Sequence, residues 1–324
     1  MIIIGLDPHP ATFTAALLDA STARVLGTLE VDNSEEGHQL LQHWVNQHSD
    51  DDERRWAVEG ASNPFVAAFV AELLARGEHV TDIPPSLTSQ YRSRRGSKKN
   101  DVVDASNAAR ALLANPGLPA YEPGPNQRRL QVLTRNRARL SDDLKANRMA
   151  LKALPDLEGP QPEEQPREIL REIVAYLAGQ IKRLDELLGE LIEEICPRIL
   201  DLRGVGAVVG ATILAEVGNV CRFQKESAFA SYCGAAPVSR GSGKNNSRVS
   251  VNSGGNRRMN YVVHMMAQVR LRTDPRSREL FERKQREGKS KRAALRVLKT
   301  YIARELYRKL KAFEKNRETL AIGA

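Results

Sequence analysis

From Leu170 to Ile195 an apolar residue recurs at alternating intervals of four and three: Leu170, Val174, Leu177, Ile181, Leu184, Leu188, Leu191 and Ile195. That spacing fits a long α-helix and no strand, and its stripe has to be covered by something. It predicts a coiled coil, with helix pairing expected between subunits. A second helical stretch, Asn126 to Leu154, precedes it with Leu130, Leu133, Leu140, Leu144, Leu151 and Leu154 on one stripe. Between them PDLEGPQPEEQP carries four prolines in twelve residues, which predicts a linker.

The N-terminal part has a different period. MIIIGLD is a buried apolar strand, ATFTAALLDA a β-rich run and ARVLGTLEVD a third, alternating one. Their short connections predict an antiparallel meander. A helix over 34–48 follows, then a strand at RRWAVEGA, a helix from Pro64 to Arg76, a short strand at HVTDIPP and a helix at DVVDASNAARALLA. This order predicts an α/β domain rather than a bundle. The expected divisions are 1–153 for this α/β domain, 154–200 for the linker and coiled coil, and 201–324 for a mostly helical C-terminal domain.

Two features of that C-terminal part point to nucleic acid. DLRGVGAVVGATILAEVGNV has the form helix–GVG–helix, a helix-hairpin-helix pattern whose Gly204 and Gly206 would turn the backbone and present amides to a phosphate. The charge is also uneven: residues 1–86 carry 4 Lys and Arg against 14 Asp and Glu, whereas residues 240–324 carry 23 against 7. A concentrated positive charge fits a polyanion partner. Arg240, Lys244, Arg248, Asn256, Arg257, Arg258, Lys289, Lys291 and Arg292 are the candidate contacts. Three cysteines, Cys196, Cys221 and Cys233, share no CxxC spacing, and the six histidines have no paired-ligand spacing. A zinc site and a disulfide framework are therefore not expected, and a soluble cytoplasmic protein is. No apolar stretch approaches membrane-spanning length, and MIIIGLDPHP meets Asp7 too early for a signal peptide.

Four acids stand out against this background. Asp7 ends the first apolar strand, Glu59 lies at the end of the fourth, and Asp101 and Asp104 sit three apart at a helix start. An acid at the end of a buried strand is costly unless it is paired or holds a cation. Clustered carboxylates suit Mg²⁺, with Mn²⁺ as an alternative, and two such ions about 4 Å apart can stabilise both oxygens of a phosphodiester displacement. Each acid taken alone also reads as a cap or a solvated turn, Asp101 above all. As a set on a β-β-β-α-β-α-β-α order, they resemble the RNase H-like fold of the RuvC junction resolvase.

GLDP, AVEG, K-N-D-x-x-D-A, L-R-G-V-G, SYCGAAP, S-G-K and GNRRMN occur in that order from Ile2 to about Leu271. Together they resemble the IS-one-ten family of insertion-sequence transposases, DEDD recombinases guided by a bridge RNA. The resemblance implies that Asp7, Glu59, Asp101 and Asp104 form a catalytic Mg²⁺-binding tetrad. It places a nucleophilic serine in a P-x-x-R-x-S-G context, here Pro237, Arg240, Ser242 and Gly243, with Gly241 where a larger polar residue is usual. Ser239, Ser247 and Ser250 lie close by in sequence. It further implies donor and target DNA, a structured non-coding guide RNA and a homodimer or tetramer as partners. A serine hydroxyl needs activation by a base or a metal, and the nearest histidine in sequence is His264. Arg240, Lys244 and Arg248 would neutralise the scissile phosphate. Two other readings differ in chemistry: a junction-type endonuclease in which water attacks, and a non-catalytic nucleic-acid-binding protein.

Overall fold

The computed structural model describes residues 1–49, 54–84, 87–88, 91, 100–118, 120–154, 164–239, 249–251 and 255–322. Two compact units emerge, one from Met1–Pro123, Asn219–His264 and Glu279–Ala324, the other from Gly124–Gly218 and Met265–Arg278. No helix among the described residues is long and apolar enough to cross a membrane.

The first unit is built on a five-stranded mixed sheet. Strands β1 (Ile2–Pro8), β2 (Thr12–Asp19) and β3 (Arg24–Asp32) form the expected antiparallel meander. Strands β4 (Arg54–Glu59) and β5 (His79–Ile83) continue on the other side of β1, in parallel, to give the order β3-β2-β1-β4-β5. The parallel pairs are joined through helices α1 (Glu35–His48) and α2 (Ala67–Ala75), as parallel connections require. Ser34 caps α1 by accepting the Gly37 amide at 3.1 Å.

Side chains alternate across β1, so the strand is apolar on both faces. Ile4 and Leu6 pack with Phe13, Leu41, Val45, Trp56 and Phe69 in one core. Ile3 packs with Leu18, Ala57 and Ile83 in a second core, closed by Ala108, Ala109 and Leu112 of helix α3 (Asp101–Ala114). Gly5 sits on that second face. A Cβ there would lie 1.9 Å from the Ala105 carbonyl oxygen and 2.8 Å from the Ala109 amide nitrogen. The glycine is what lets α3 lie directly on the strand.

In the second unit, α4 (Pro125–Ala153) and α5 (Glu164–Ile195) pair side by side. The Arg137–Asp185 ion pair (2.6 Å) and the Arg167–Leu154 carbonyl contact (3.4 Å) run in opposite order, so the pair is antiparallel. Of the seam residues, Leu177, Ile181, Leu188 and Leu191 are buried. Their first partner is thus a helix of the same chain. Helix α6 (Ala207–Val217) belongs to the same unit, with Gln127 and Gln131 donating to the Ala215 carbonyl at 3.1 and 3.0 Å. The helices that follow are α7 (Glu226–Tyr232), α8 (Arg257–Thr273), α9 (Pro275–Arg286) and α10 (Lys291–Ile322), with a short antiparallel pair, β6 (Pro237–Ser239) and β7 (Val249–Val251), between α7 and α8.

Two glycine substitutions should separate close packing from helix propensity. Gly5→Ala should destabilise the protein by about 3 kcal/mol or more, because neither the strand nor the helix backbone can yield cheaply. Gly179→Ala, on the exposed side of α5 with open space around it, should stabilise by about 0.5–1 kcal/mol. Denaturant unfolding of the two variants measures both, and equal effects would contradict this packing.

Candidate active site

Alternation along the strands decides which acids meet. On β1, Ile3, Gly5 and Asp7 share the face that α3 covers. On β4, Trp56 and Val58 belong to the opposite core and Ala57 to the α3 core. Glu59 therefore falls on the same face as Asp7. The β1–β4 register pairs Leu6 with Val58, so Asp7 and Glu59 are the next residues along two neighbouring parallel strands.

Helix α3 brings the remaining two acids. Its cap is Asn100, whose side chain accepts the Val102 amide at 2.9 Å. The alternative of Asp101 as the N-cap is thereby corrected: Asp101 occupies the first helical position, where its carboxylate is not spent on capping. Asp104 follows one turn on and is 3% exposed. Both sit at the helix N-terminus, whose unpaired amides favour negative charge.

Asp7, Asp101 and one residue absent from the expected set, His9, present ligand atoms that all lie within 4.8 Å of one another. His9 Nε2 is 3.5 Å from Asp7 Oδ2 and 3.6 Å from Asp101 Oδ1. Burial is the largest influence on Asp7 and pushes its carboxyl above the ordinary range; His9 opposes this, while Asp104 and Asp101 add to it. A set of mutually repelling carboxylates with an imidazole nitrogen beside them suits a divalent cation. The sequence signal for His9 was available. It stands two residues after Asp7, on the same side of an extended chain, but a search for paired histidine spacings passes over it.

The Ser242 segment is carried differently. β6 and β7 pair with Pro237 opposite Val251 and Ser239 opposite Val249, and residues 240–248 join them. Arg240, Ser242, Lys244, Ser247 and Arg248 lie outside the described residues. The base of the hairpin is pinned from two sides. A Cβ on Gly255 would lie 2.4 Å from the Gly234 amide nitrogen, so the two glycine turns touch backbone to backbone. Asn256 caps α8 by accepting the Met259 amide at 2.9 Å, and its own amide donates to the Tyr232 hydroxyl at 3.0 Å. Asn260 donates to the Gly234 carbonyl at 3.1 Å and accepts Lys299 Nζ at 2.7 Å. Lys299 is 8% exposed, and burial lowers its pKa. Thr300 donates to the Ala235 carbonyl at 2.6 Å.

The other expected contacts divide. Gly204 has φ +87°, and a Cβ there would crowd the Met266 backbone at 3.2 Å, whereas Gly206 opens onto free space at the start of α6. The element before this turn is a short 3-10 segment, Pro197–Asp201. Arg257, Lys289, Lys291 and Arg292 are exposed, and Arg258 is half-buried.

Residues 4–157 match the family model for DEDD transposases of the IS110 type, described as Transposase. Residues 196–282 match the model described as Transposase IS116/IS110/IS902 family. The chain belongs to this transposase family. Among proteins similar to it is the 42 kDa protein of insertion element IS900 from Mycobacterium paratuberculosis, 31% identical over 204 residues, which are 60% of this chain and 50% of that protein. The 43.6 kDa protein of insertion element IS110 from Streptomyces coelicolor is 30% identical over 118 residues, 36% of this chain and 29% of its own length. The 44.8 kDa protein of insertion element IS116 from Streptomyces clavuligerus is 31% identical over 124 residues, 36% and 31% of the two chains. The match thus spans half or less of each of these relatives. The IS110-type domain model covers all four acids, and the C-terminal one covers Gly204, Gly206 and the Ser242 segment.

Asp7→Asn removes one buried charge and one ligand together, so two opposite effects follow. Because the Asp7 pKa is raised in the fold, its ionisation is a cost that sets in as pH rises above the ordinary carboxyl value and is complete above the raised one. The variant should therefore unfold at a higher temperature without added metal. Divalent cation at about a hundred times its Kd should stabilise the parent by about 2.7 kcal/mol and the variant by almost nothing. Thermal unfolding with and without Mn²⁺ or Mg²⁺ reads both; an unchanged metal increment in Asp7→Asn would remove Asp7 from the ligand set.

Proposed function

We propose that this transposase-family chain is an RNA-guided, site-specific DNA recombinase that links itself to DNA through Ser242. The observation that carries the reading is the convergence of acids from β1, β4 and α3 on one face, in a chain whose two ends match two parts of a transposase family. A non-catalytic binding module has no use for such a costly cluster.

Asp7, Glu59, Asp101 and Asp104 would hold Mg²⁺, which supplies charge neutralisation at the phosphate when bound. In the first step Ser242 Oγ attacks phosphorus, forming the Oγ–P bond and breaking the P–O3′ bond. The serine proton leaves to a carboxylate or solvent, and the departing 3′-oxygen takes one up, which leaves a 5′-phosphoserine and a free 3′-hydroxyl. In the second step the 3′-hydroxyl of the other DNA attacks the same phosphorus and releases the serine hydroxyl. No net bond energy is lost, so no external energy source is needed. Arg240, Lys244 and Arg248 would bind the scissile phosphate and its neighbours. Arg257, Arg258, Lys289, Lys291 and Arg292, together with Asn256 and the amides at Gly204 and Gly206, would contact DNA or the guide RNA. Sequence choice would rest on base pairing with a structured non-coding RNA, so donor and target DNA need no base-reading helix of the protein.

Strand exchange between two DNAs calls for more than one subunit, and α5 has a surface for pairing. With its seam turned to α4, Ile169, Ile173, Tyr176 and Leu187 remain exposed on it. Placing a charge there by Tyr176→Glu should lower the molar mass seen by light scattering without unfolding the chain; an unchanged mass would exclude this stripe from self-association.

The test of the chemistry is Ser242→Ala, assayed with Mg²⁺, the element's non-coding RNA and labelled DNA. The parent should form a protease-sensitive protein–DNA adduct, and the variant should form none while recombination drops by at least about a hundredfold. Nicking at the parental rate by the variant would establish water as the nucleophile.

A further inference from the structure

We propose that His9 is a nitrogen ligand of the cation held by these carboxylates, which makes the site a mixed imidazole–carboxylate centre that favours Mn²⁺ over Mg²⁺. The inference rests on the reading of the acids as a metal site and adds one donor to it.

Three observations carry it. The Nε2 atom of His9 is shielded from solvent and has no hydrogen-bond partner among the described residues. It points between two carboxylates, at 3.5 Å from Asp7 and 3.6 Å from Asp101, distances at or beyond the limit of a useful hydrogen bond. A cation with ligands at about 2.1 Å keeps adjacent ligand atoms about 3.0 Å apart and opposite ones about 4.2 Å apart. The two His9 separations fall between those values, and all three ligand atoms lie within 4.8 Å of one another, so one ion can touch all three residues with side-chain adjustment.

The backbone explains why the imidazole is there. Pro8 ends β1, and the His9 amide then donates to the Thr12 carbonyl at 2.8 Å in the turn to β2. That turn fixes the His9 backbone beside the N-terminus of α3. The solvent-shielded Nε2 has only long contacts to the two carboxylates, and a metal ion between the three residues would give it a closer partner. Neutral imidazole is a poor ligand for Mg²⁺, which prefers oxygen, and a good one for transition ions. The carboxylates alone would not discriminate between Mg²⁺ and Mn²⁺ to the same degree.

The test uses the full chain and Mn²⁺ itself. Bound Mn²⁺ is paramagnetic, so pulsed electron paramagnetic resonance reads a directly coordinated nitrogen through its ¹⁴N coupling. The parent should show imidazole ¹⁴N coupling, converted to the ¹⁵N pattern by labelling with ¹⁵N-histidine. His9→Ala should lose it and bind Mn²⁺ about tenfold or more weakly, with Mg²⁺ affinity changed by less than the Mn²⁺ affinity. His9→Asn gives a second, more conservative variant if the alanine protein is poorly folded, and the parental spectrum needs no variant at all. Mn²⁺ that binds the parent, fails to bind Asp7→Asn and shows no nitrogen coupling overturns the His9 assignment and leaves the carboxylate site standing. Mn²⁺ that binds neither protein, or both equally, overturns the metal site itself.

Discussion

The contact between α3 and β1 at Gly5 positions everything else in the candidate site. With no side chain between them, the helix lies on the strand at backbone distance, and the Ala105 carbonyl occupies the space a Cβ would fill. The small residues Ala108, Ala109 and Ala111 extend that approach along the same core. Because the helix is so close, its first turn arrives over the C-terminal ends of the strands rather than beside them. Asp101 and Asp104 are then carried to Asp7 by the geometry of the core and not by any attraction between acids, which repel one another. The core supplies the free energy that the cluster costs. Burial of Asp7 beside two further carboxylates raises its pKa, a cost that a bound cation would offset.

How far the sequence discloses this arrangement depends on the kind of signal. The strand order and meander are legible because each run is bounded by turn residues and has its own period. The four acids are legible because they fall at strand ends and a helix start, positions at which charge is either capping or functional. Asn100 shows where local reading stops. Both Asn100 and Asp101 suit the cap, and only the backbone decides that Asn100 accepts the Val102 amide and leaves Asp101 free. His9 shows a different limit. Its side chain joins the acids because the chain turns there, and no spacing rule for histidine pairs looks for a single imidazole next to a carboxylate.

The seam on α5 illustrates a third limit. Heptad spacing states that a helix needs a partner and is silent on which one. The stripe on 126–154 looks equally suited to packing on the sheet or on another helix. In the structure it faces α5, and Arg137 pairs with Asp185 across the two. One apolar stripe is thereby consumed within the chain. A second, on Ile169, Ile173 and Tyr176, is visible only once the first has been assigned.

The four acids proposed as metal ligands and the β6–β7 pair are held in different ways. Ligands for a small hard cation must be fixed to within a fraction of an ångström, so they belong on a strand and a helix locked by a core. The β6–β7 pair is held instead by contacts at its base. The Gly234–Gly255 contact, the Asn256 and Asn260 hydrogen bonds, and the buried Lys299 ammonium fix that base. Lys299 is the costliest member, since burial disfavours its charge, and its Nζ spends that charge on the one asparagine that also holds the Gly234 carbonyl. The SYCGAAP and GNRRMN segments, seventeen residues apart in the chain, are therefore two halves of one clamp. Among them Gly234, Gly255, Asn256 and Asn260 anchor the hairpin through hydrogen bonds and backbone contact.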